Sequence, residues 1–214
     1  MGIGKLIKYA SLADDPIVFE KTALLKGKWH SGFFKNQHPI VLELACGKGD
    51  YTLGMARLFP EKNFIGVDIK GNRIWSAARI VKLEHLEHIA FIRDQIDKMH
   101  EYFEPGEIDE IWITFSDPFP KKADHRRRLT SKKFLPIYKQ ILKKGGLIHL
   151  KTDSDILYEY TKEVLAEVPS VIHKDYKDVY AMNKNEELYG IQTYYEKMHL
   201  KDGRTIKYLC FSLL

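Results

Sequence analysis

The stretch VLELACGKGD at residues 41–50 decides the fold of this chain, because it joins an apolar run to a glycine-bearing turn and then to an amphipathic segment. At the carboxyl end of a first parallel strand, glycines let the backbone approach a ligand closely, and the following helix N-terminus adds a positive dipole. Gly47 and Gly49 are the glycines of this turn. The stretch therefore predicts a nucleotide-like ligand at the end of a first strand.

The turn does not match the common phosphate-binding motifs. Thr52 stands where the dinucleotide fingerprint has its third glycine, and the P-loop motif is absent. Glu43 lies near the strand end instead, and a carboxylate there suits a cationic ligand better than a pyrophosphate. S-adenosylmethionine, with its ammonium and sulfonium groups, is such a ligand; the alternative is that Glu43 only caps the turn.

Outward from this stretch, short apolar runs alternate with longer amphipathic segments. This alternation predicts a Rossmann-like, doubly wound α/β fold with a mostly parallel sheet of seven strands. The last two strands are expected to form a C-terminal antiparallel hairpin around the Asp202-Gly203 turn. The expected strands lie at 40–45, 63–69, 89–94, 110–115, 146–151, 193–200 and 205–214, and the expected helices at 50–59, 72–85, 97–103, 131–142 and 154–167.

Residues 1–38 show no clear hydrophobic period and are expected to form an N-terminal arm, followed by one domain at residues 39–214. The arm is basic and aromatic, and it either clamps RNA or packs as a simple strap. The chain has 214 residues, of which 44% are hydrophobic, so a sizeable core is possible and full disorder is not expected. It has neither a membrane-length apolar run nor a secretion signal, so we expect a cytoplasmic protein with no membrane partner.

Two features of composition bear on partners. Cys46 and Cys210 lie far apart and outside any Cys/His cluster, so neither a disulfide framework nor a metal site is expected. The formal net charge is only +5, but the cationic charge is concentrated at residues 121–133, where Asp124 is the one acid. Such a patch favours RNA or DNA as a partner, the alternative being a solvated surface. Its basic residues are Lys121, Lys122, Arg126, Arg127, Arg128, Lys132 and Lys133.

Acidic or amide side chains lie near or just after the ends of the first four expected strands. Asp68 ends the second strand, where an acid can bond both hydroxyls of an adenosine ribose, although it could also simply end the strand. Asp94 or Gln95 follows the third, and the one-residue register decides which faces the adenine edge. Asp117 follows the fourth strand and is expected to point toward the reaction centre, unless it only starts a turn before Pro118.

Six motifs in this order resemble the bacterial tRNA (guanine-N7-)-methyltransferase family over residues 40–196. The two basic motifs, SDPFPKK and RRRLT, are together far more specific to this family than the glycine turn is. The sequence departs from the family at Ala45, where glycine is usual, at Phe119, where Trp is common, and at Gln95, where Asp or Asn is frequent. The motifs are ELACGKG from residue 43, FIGVD ending at 68, SDPFPKK from 116, RRRLT from 126, HLKTD ending at 153 and TYYE from 193.

The resemblance implies a methyltransferase that uses S-adenosylmethionine to methylate N7 of the guanosine at position 46 in the tRNA variable loop. It also implies the site residues. Asp117 would be catalytic and would contact the cofactor together with Glu43, Gly47, Gly49, Asp68 and Asp94 or Gln95. Lys121, Asp153 and the group Thr193, Tyr195 and Glu196 would contact the substrate. Independently of the resemblance, the basic run predicts phosphate contacts from Arg126, Arg127 and Arg128. A monomer and a homodimer are both compatible with the sequence.

The chemistry of N7 restrains the mechanism. Guanine N7 carries an in-plane lone pair and no proton, so displacement at the sulfonium methyl needs positioning more than a base. Asp117 is then expected to accept hydrogen bonds and to offset the positive charge that grows on the ring. Asp153 and Glu196 could read the Watson–Crick edge, because carboxylates accept from N1–H and N2–H₂. Alternatively, Asp153 caps the next helix, and Thr193, Tyr195 and Glu196 are ordinary strand residues.

Three other functions compete with this interpretation: a nicotinamide-dependent oxidoreductase, a methyltransferase of another RNA site or of a non-RNA substrate, and a non-catalytic RNA-binding module. The missing third glycine and the acid at Glu43 count against the first of them. Charge reversal at residues 126–128 would leave activity intact in a methyltransferase of protein or small molecules.

Overall fold

The computed structural model describes residues 12, 14–181 and 190–214. Within these residues the strands form one eight-stranded sheet in the order β1-β4-β3-β2-β5-β6-β8-β7. Neighbouring strands are parallel from β1 to β6, and β8 is antiparallel to both β6 and β7. The strands are β1 Val18–Phe19, β2 Ile40–Leu44, β3 Asn63–Val67, β4 Ile89–Ile92, β5 Ile108–Thr114, β6 Leu142–Thr152, β7 Ser170–Tyr176 and β8 Lys207–Leu213.

Helices connect the parallel strands and bury one face each against the sheet. In the first of them, Tyr51, Leu53 and Met55 are buried, which explains the amphipathic period after the glycine turn. Shorter helical turns occur at Trp29–Phe34, Ile96–Lys98, Lys122–Arg127 and Val179–Ala181. The α-helices are α1 Asp50–Leu58, α2 Gly71–Glu84, α3 Met99–Tyr102, α4 Leu135–Ile141, α5 Asp155–Ala166 and α6 Tyr194–Lys201.

Both faces of the sheet are buried, as a parallel sheet between helices requires. Leu42 and Leu44 of β2 pack into one apolar cluster, whereas Val41 packs into the other. Glu43 therefore lies on the Val41 face, buried in the middle of the sheet. The predicted doubly wound, mostly parallel α/β fold with a C-terminal antiparallel hairpin is confirmed.

The predicted strand at 193–200 is wrong, and the hairpin is formed by β7 and β8 instead. Residues 194–201 form helix α6, because Thr193 caps its N-terminus: the Thr193 hydroxyl accepts a hydrogen bond from the Glu196 N–H at 3.1 Å. The sequence T-x-x-E carries this cap, and the aromatic Tyr194-Tyr195 pair obscures it by favouring a strand. The eighth strand is the two-residue β1, which the sequence did not reveal.

The described part of the N-terminal arm is integrated into the fold. Strand β1 pairs with β4, and Trp29 is 1% exposed, with its indole N–H donating to the Tyr102 carbonyl at 3.0 Å. These contacts support the strap interpretation for residues 14–38. The clamp interpretation rests on the basic and aromatic residues of the arm, of which Lys5 and Lys8 lie outside the described residues. No helix in the described part of the chain is long and apolar enough to cross a membrane.

Candidate active site

The loop between β2 and α1 adopts left-handed backbone conformations at three positions. Gly47 and Gly49 have φ of +59° and +75°, and Ala45 has φ of +59°. Gly49 also needs its lack of a side chain, because a Cβ there would come within 2.9 Å of the Ala77 Cβ. The sequence therefore forms the predicted glycine turn, at a conformational cost at Ala45 of about 1–2 kcal/mol.

Glu43 lies at the base of this turn, only 4% exposed, and accepts three hydrogen bonds. The donors are the Thr52 N–H at 2.8 Å, the Thr114 hydroxyl at 2.6 Å and the Thr52 hydroxyl. Burial raises the pKa of Glu43 from 4.5 to about 7, although these hydrogen bonds act in the opposite direction. A carboxylic acid with this pKa is only partly ionised near neutral pH. Because it faces a cleft, a cationic ligand bound there would favour its ionised form.

Glu43 opens on a cleft of about 130 Å³, which we call the glycine-loop cleft. Phe115 at the end of β5 and the start of helix α6 close its other sides. Thr193, Tyr194 and Tyr195 all line it, so the predicted substrate residues Thr193 and Tyr195 do lie beside Glu43. The cleft is lined by Glu43, Ala45, Cys46, Gly47, Lys48, Asp50, Arg73, Thr114, Phe115, Thr193, Tyr194 and Tyr195.

Asp68 supports the glycine turn from the neighbouring strand end. Its carboxylate accepts from the Gly47 N–H at 3.0 Å and from the Lys70 N–H at 2.7 Å, and Arg73 lies 3.8 Å away. Asp68 is 6% exposed and lines a second cleft of about 460 Å³, the Asp68 cleft. Ala45 lines both clefts, so the two strand-end acids face adjoining spaces.

Hydrogen bonds distinguish Asp94 from Gln95, the two side chains expected at the adenine edge of the ligand. Both line the Asp68 cleft, but the Asp94 carboxylate accepts from the Gln95 N–H at 2.7 Å and from the Tyr102 hydroxyl at 2.8 Å, with Lys98 at 3.2 Å. Burial raises the pKa of Asp94, yet these donors outweigh it and hold the pKa below its ordinary value. Gln95 is exposed to the cleft, so its amide is the freer of the two groups.

Asp117 does not line either cleft. It is exposed, and its Oδ1 accepts from the Phe119 N–H at 3.0 Å, as expected of an aspartate that starts a turn. Within the described residues its Oδ2 has no protein partner. Thr114 and Phe115, three and two residues earlier, line the glycine-loop cleft instead.

Arg128 requires a correction. We expected its guanidinium to bind phosphate, but it is 2% exposed and lies inside the fold. Its Nε donates to the Pro118 carbonyl at 2.8 Å and its Nη2 to the Phe119 carbonyl at 2.9 Å, and the guanidinium stacks on Tyr160 at 4.3 Å. Arg128 therefore holds the loop after β5 rather than a nucleic acid.

The other predicted phosphate contacts are at the surface. Lys121, Arg126 and Arg127 are exposed, and Arg127 lines the Asp68 cleft. The side chain of Arg127 also lies 3.3 Å from Asp124. The cationic segment is thus adjacent to the clefts, which is the placement that a polyanionic partner requires.

Glu196 also requires a correction. We expected its carboxylate to read a guanine edge, but it is 0% exposed and pairs at 2.7 Å with Lys151, which is equally buried. The Tyr180 hydroxyl donates to the same Glu196 oxygen at 2.7 Å. Lys151, which the sequence analysis did not single out, has its pKa lowered by burial. The pair ties helix α6, and with it the mouth of the glycine-loop cleft, to strand β6.

Asp153 lies at the end of β6, partly exposed, and pairs with Arg204 at 2.8 Å and with His199 at 3.6 Å. The alternative that Asp153 caps helix α5 is wrong, because the Ser154 hydroxyl accepts the capping bond from the Leu157 N–H at 3.2 Å. Within the described residues no group of His, Cys, Asp and Glu side chains is arranged to hold a metal ion.

Comparison with known proteins decides the family. A family model described as a putative methyltransferase matches residues 37–209. A curated tRNA (guanine-N(7)-)-methyltransferase from Porphyromonas gingivalis is 49% identical over 190 residues, covering 88% of this chain and 77% of that protein. One from Bacteroides fragilis is 45% identical over 221 residues, covering 100% and 87%. The chain belongs to the tRNA (guanine-N7-)-methyltransferase family.

Solved structures agree with this family's fold. The 16S rRNA methyltransferase KamB superposes with a TM-score of 0.62 at 15% identity, covering 86% of this chain and 91% of that one. A SAM-dependent methyltransferase from Aquifex aeolicus gives 0.57 at 12% identity, covering 82% of each chain. Membership of the tRNA (guanine-N7-)-methyltransferase family argues against the oxidoreductase and non-catalytic alternatives.

Proposed function

We propose that this protein transfers a methyl group from S-adenosylmethionine to N7 of a guanosine in tRNA, and that the target is position 46 of the variable loop. The observation that carries the chemistry is the pair of buried acids, Glu43 and Asp68, at neighbouring strand ends on two adjoining clefts. The exposed cationic side chains beside those clefts favour a nucleic acid over a small molecule. We expect it to act in the cytoplasm, as a monomer or a homodimer.

The residues present fit the cofactor. Bound S-adenosylmethionine supplies an electrophilic sulfonium methyl group. The ammonium of its amino-acid end suits the glycine-loop cleft, where Glu43 has a pKa of about 7 and would be held ionised by a positive neighbour. Asp68 would accept from the ribose hydroxyls, and the exposed Gln95 amide in the same cleft would bond the adenine edge. Gly47 and Gly49 allow the backbone to approach the ligand.

The reaction then depends on orientation. Guanine N7 attacks with an in-plane lone pair and loses no proton, so this chain needs no general base and gains most from holding the base in line. Thr193, Tyr194 and Tyr195 line the cleft that contains Glu43, and the two tyrosines are 68% and 46% exposed. Exposed aromatic side chains of this kind stack on unpaired bases.

Charge stabilisation is the second contribution. Positive charge moves onto the guanine ring as the methyl group is transferred, and carboxylates near the ring favour that step. We propose that Asp117 acts in this way through Oδ2, while Oδ1 holds the loop. Asp117→Ala is expected to lower turnover far more than cofactor affinity, whereas equal losses in both would indicate a binding role.

Contacts to the RNA backbone would come from Lys121, Arg126 and Arg127. Asp153, paired with Arg204, follows the carboxyl end of β6 and would contact the substrate base. Each phosphate neutralised adds about one to the negative slope of log affinity against log salt concentration. Three such contacts predict a slope of roughly −2 to −3, to be measured by filter binding between low and physiological salt.

The deciding experiment incubates purified protein with methyl-labelled S-adenosylmethionine and bulk tRNA, followed by mapping of the modified base. Label at N7 of guanosine 46 supports the full proposal. Label at another tRNA position would keep the reaction and overturn the site. Label on another RNA, or transfer only to non-RNA acceptors, would favour the alternative methyltransferases, and absence of any transfer would overturn the proposal.

A further inference from the structure

The Asp68 cleft has a polar side and an apolar side. Asp68, Asp94 and Gln95 form the polar side at the strand ends. Apolar side chains also line the cleft: Phe119 and Leu129 from the segment that follows β5, together with Phe134 and Ile69. A cleft with this division is suited to a flat ring that is polar at its edge and apolar on its faces.

Phe119 is held in its place by several contacts. Its φ of +41° is left-handed, a conformation that non-glycine residues keep only when the surroundings impose it. Two hydrogen bonds impose it here: its N–H donates to Asp117 at 3.0 Å, and its carbonyl accepts from the buried Arg128 at 2.9 Å. Phe119 is therefore held at the lining of the cleft by a constrained loop.

Arg127 covers the Phe119 ring. Its guanidinium lies 4.3 Å from the ring centroid, its side chain is 65% exposed, and it pairs with Asp124 at 3.3 Å. A guanidinium that stacks through its face keeps N–H donors at its edge for a phosphate. One side chain thus contacts both the wall of the Asp68 cleft and the solvent from which a nucleic acid would approach.

We propose that Phe119 is the residue on which the adenine ring of the cofactor stacks, and that Arg127 couples RNA binding to cofactor binding through that ring. The inference rests on the proposed function and adds to it a stacking residue and a thermodynamic link. A phosphate bound at the edge of Arg127 fixes the guanidinium over Phe119 and so fixes the wall of the cleft. Because coupling is reciprocal, the cofactor must tighten RNA binding by the same factor.

The first measurement is the dissociation constant of S-adenosylhomocysteine, taken by calorimetry on the full chain without RNA. Base–aromatic stacking predicts that Phe119→Ala weakens this binding about tenfold. Phe119→Trp should bind as well as the parent, and Phe119→Leu should lie between, because it keeps apolar volume and loses the ring. Unfolding midpoints of the ligand-free variants separate a lost contact from a lost fold.

The second measurement repeats the titration with saturating unmodified tRNA transcript. The parent should bind S-adenosylhomocysteine at least about fivefold more tightly with tRNA than without it. Arg127→Ala should abolish this ratio, and Arg127→Lys should reduce it, because lysine keeps the charge but not the planar stack. Arg126→Ala is the matched control: it removes one exposed positive charge from the same turn, and it should keep the ratio while weakening tRNA binding.

The outcomes are separable. Equal binding of S-adenosylhomocysteine by Phe119→Ala and the parent overturns the stacking role. Equal ratios in Arg127→Ala and Arg126→Ala, or a ratio of one in the parent, overturn the coupling. Failure of the parent to bind tRNA at all would overturn the proposed function and the coupling with it, while the RNA-free titration would still decide the role of Phe119.

Discussion

Replacing Glu43 by glutamine should make the ligand-free protein more stable at alkaline pH while weakening its cofactor binding. Glu43 is 4% exposed, and its pKa in the folded chain is about 7 against an ordinary 4.5. A folded pKa above the unfolded one means that the fold favours the protonated form. The contribution of Glu43 to the free energy of unfolding is therefore fully present below about pH 4.5 and is lost as pH rises through about 7.

The size of the effect follows from the same two values. A change from 4.5 to about 7 corresponds to about 3 kcal/mol of preference for the neutral form. Glutamine is neutral at every pH and can keep the hydrogen bonds: its carbonyl can accept from Thr52, and its amide can donate to the Thr114 hydroxyl. Glu43→Gln should thus gain up to about 3 kcal/mol at pH 8, or roughly 6–12 °C in melting temperature for a chain of this size.

The assay is thermal and urea unfolding of parent and variant at pH 5 and pH 8, with cofactor titration alongside. At pH 5 the two proteins should have nearly equal stability, and at pH 8 the variant should be the more stable one and should bind S-adenosylmethionine more weakly. Glu43→Ala is the second variant; it leaves three donors without an acceptor and should be destabilised at both pH values. A gain in Glu43→Gln that is the same at both pH values, or no gain at pH 8, would refute the reasoning.

Three further changes test other contacts. Glu196→Gln should lower the free energy of unfolding in urea by about 3 kcal/mol, because it leaves the buried Lys151 without its charged partner. The loss should shrink toward pH 10, since burial already lowers the pKa of Lys151. An equal loss in the double variant Lys151→Met, Glu196→Leu would contradict this. Ala45→Gly should raise stability by roughly 0.5–1 kcal/mol, because its φ of +59° costs alanine more than the added chain entropy of glycine; a lowered melting temperature would count against the strain. Arg128→Lys should lower the free energy of unfolding by about 1–3 kcal/mol and should also lower turnover, since lysine cannot bond both loop carbonyls. An unchanged unfolding curve would show that Arg128 does not hold the loop.

Most elements could be predicted because they obey a hydrophobic period. Strands β2, β3 and β4 are fully buried, mostly apolar runs of four or five residues, and α1, α2 and α5 each bury one face. Strand β7 escaped prediction because it is an edge strand whose Val171 and Ile172 are both exposed, so no alternation marks it. Helix α6 was predicted as a strand because β-favouring aromatic residues outweighed its N-terminal cap.

The strand-end positions of Glu43 and Asp68 could be predicted, but the contacts of other expected site residues could not. Glu43 and Asp68 are found at the expected strand ends, since sheet topology alone fixes which ends are neighbours. Arg128 was predicted to contact phosphate because it lies in the basic run, and Glu196 was predicted to contact a base because of the family resemblance. Each has instead found buried partners, two carbonyls in one case and Lys151 in the other. Such pairings depend on residues distant in sequence, so no local pattern contains them.

The conformational strain in this protein is concentrated where the ligand is expected. In the described part of the chain, six non-glycine residues have positive φ, and three of them, Ala45, Phe115 and Phe119, line the two clefts. Each costs of order 1 kcal/mol or more and persists because neighbouring contacts impose it. The buried charge of Glu43 adds a further cost at the same strand ends. Removing these four features, the three positive φ angles and the buried acid, would make the fold more stable. Their presence at one edge of the sheet therefore argues that this edge was selected for binding. It also explains why stabilising changes there should reduce function.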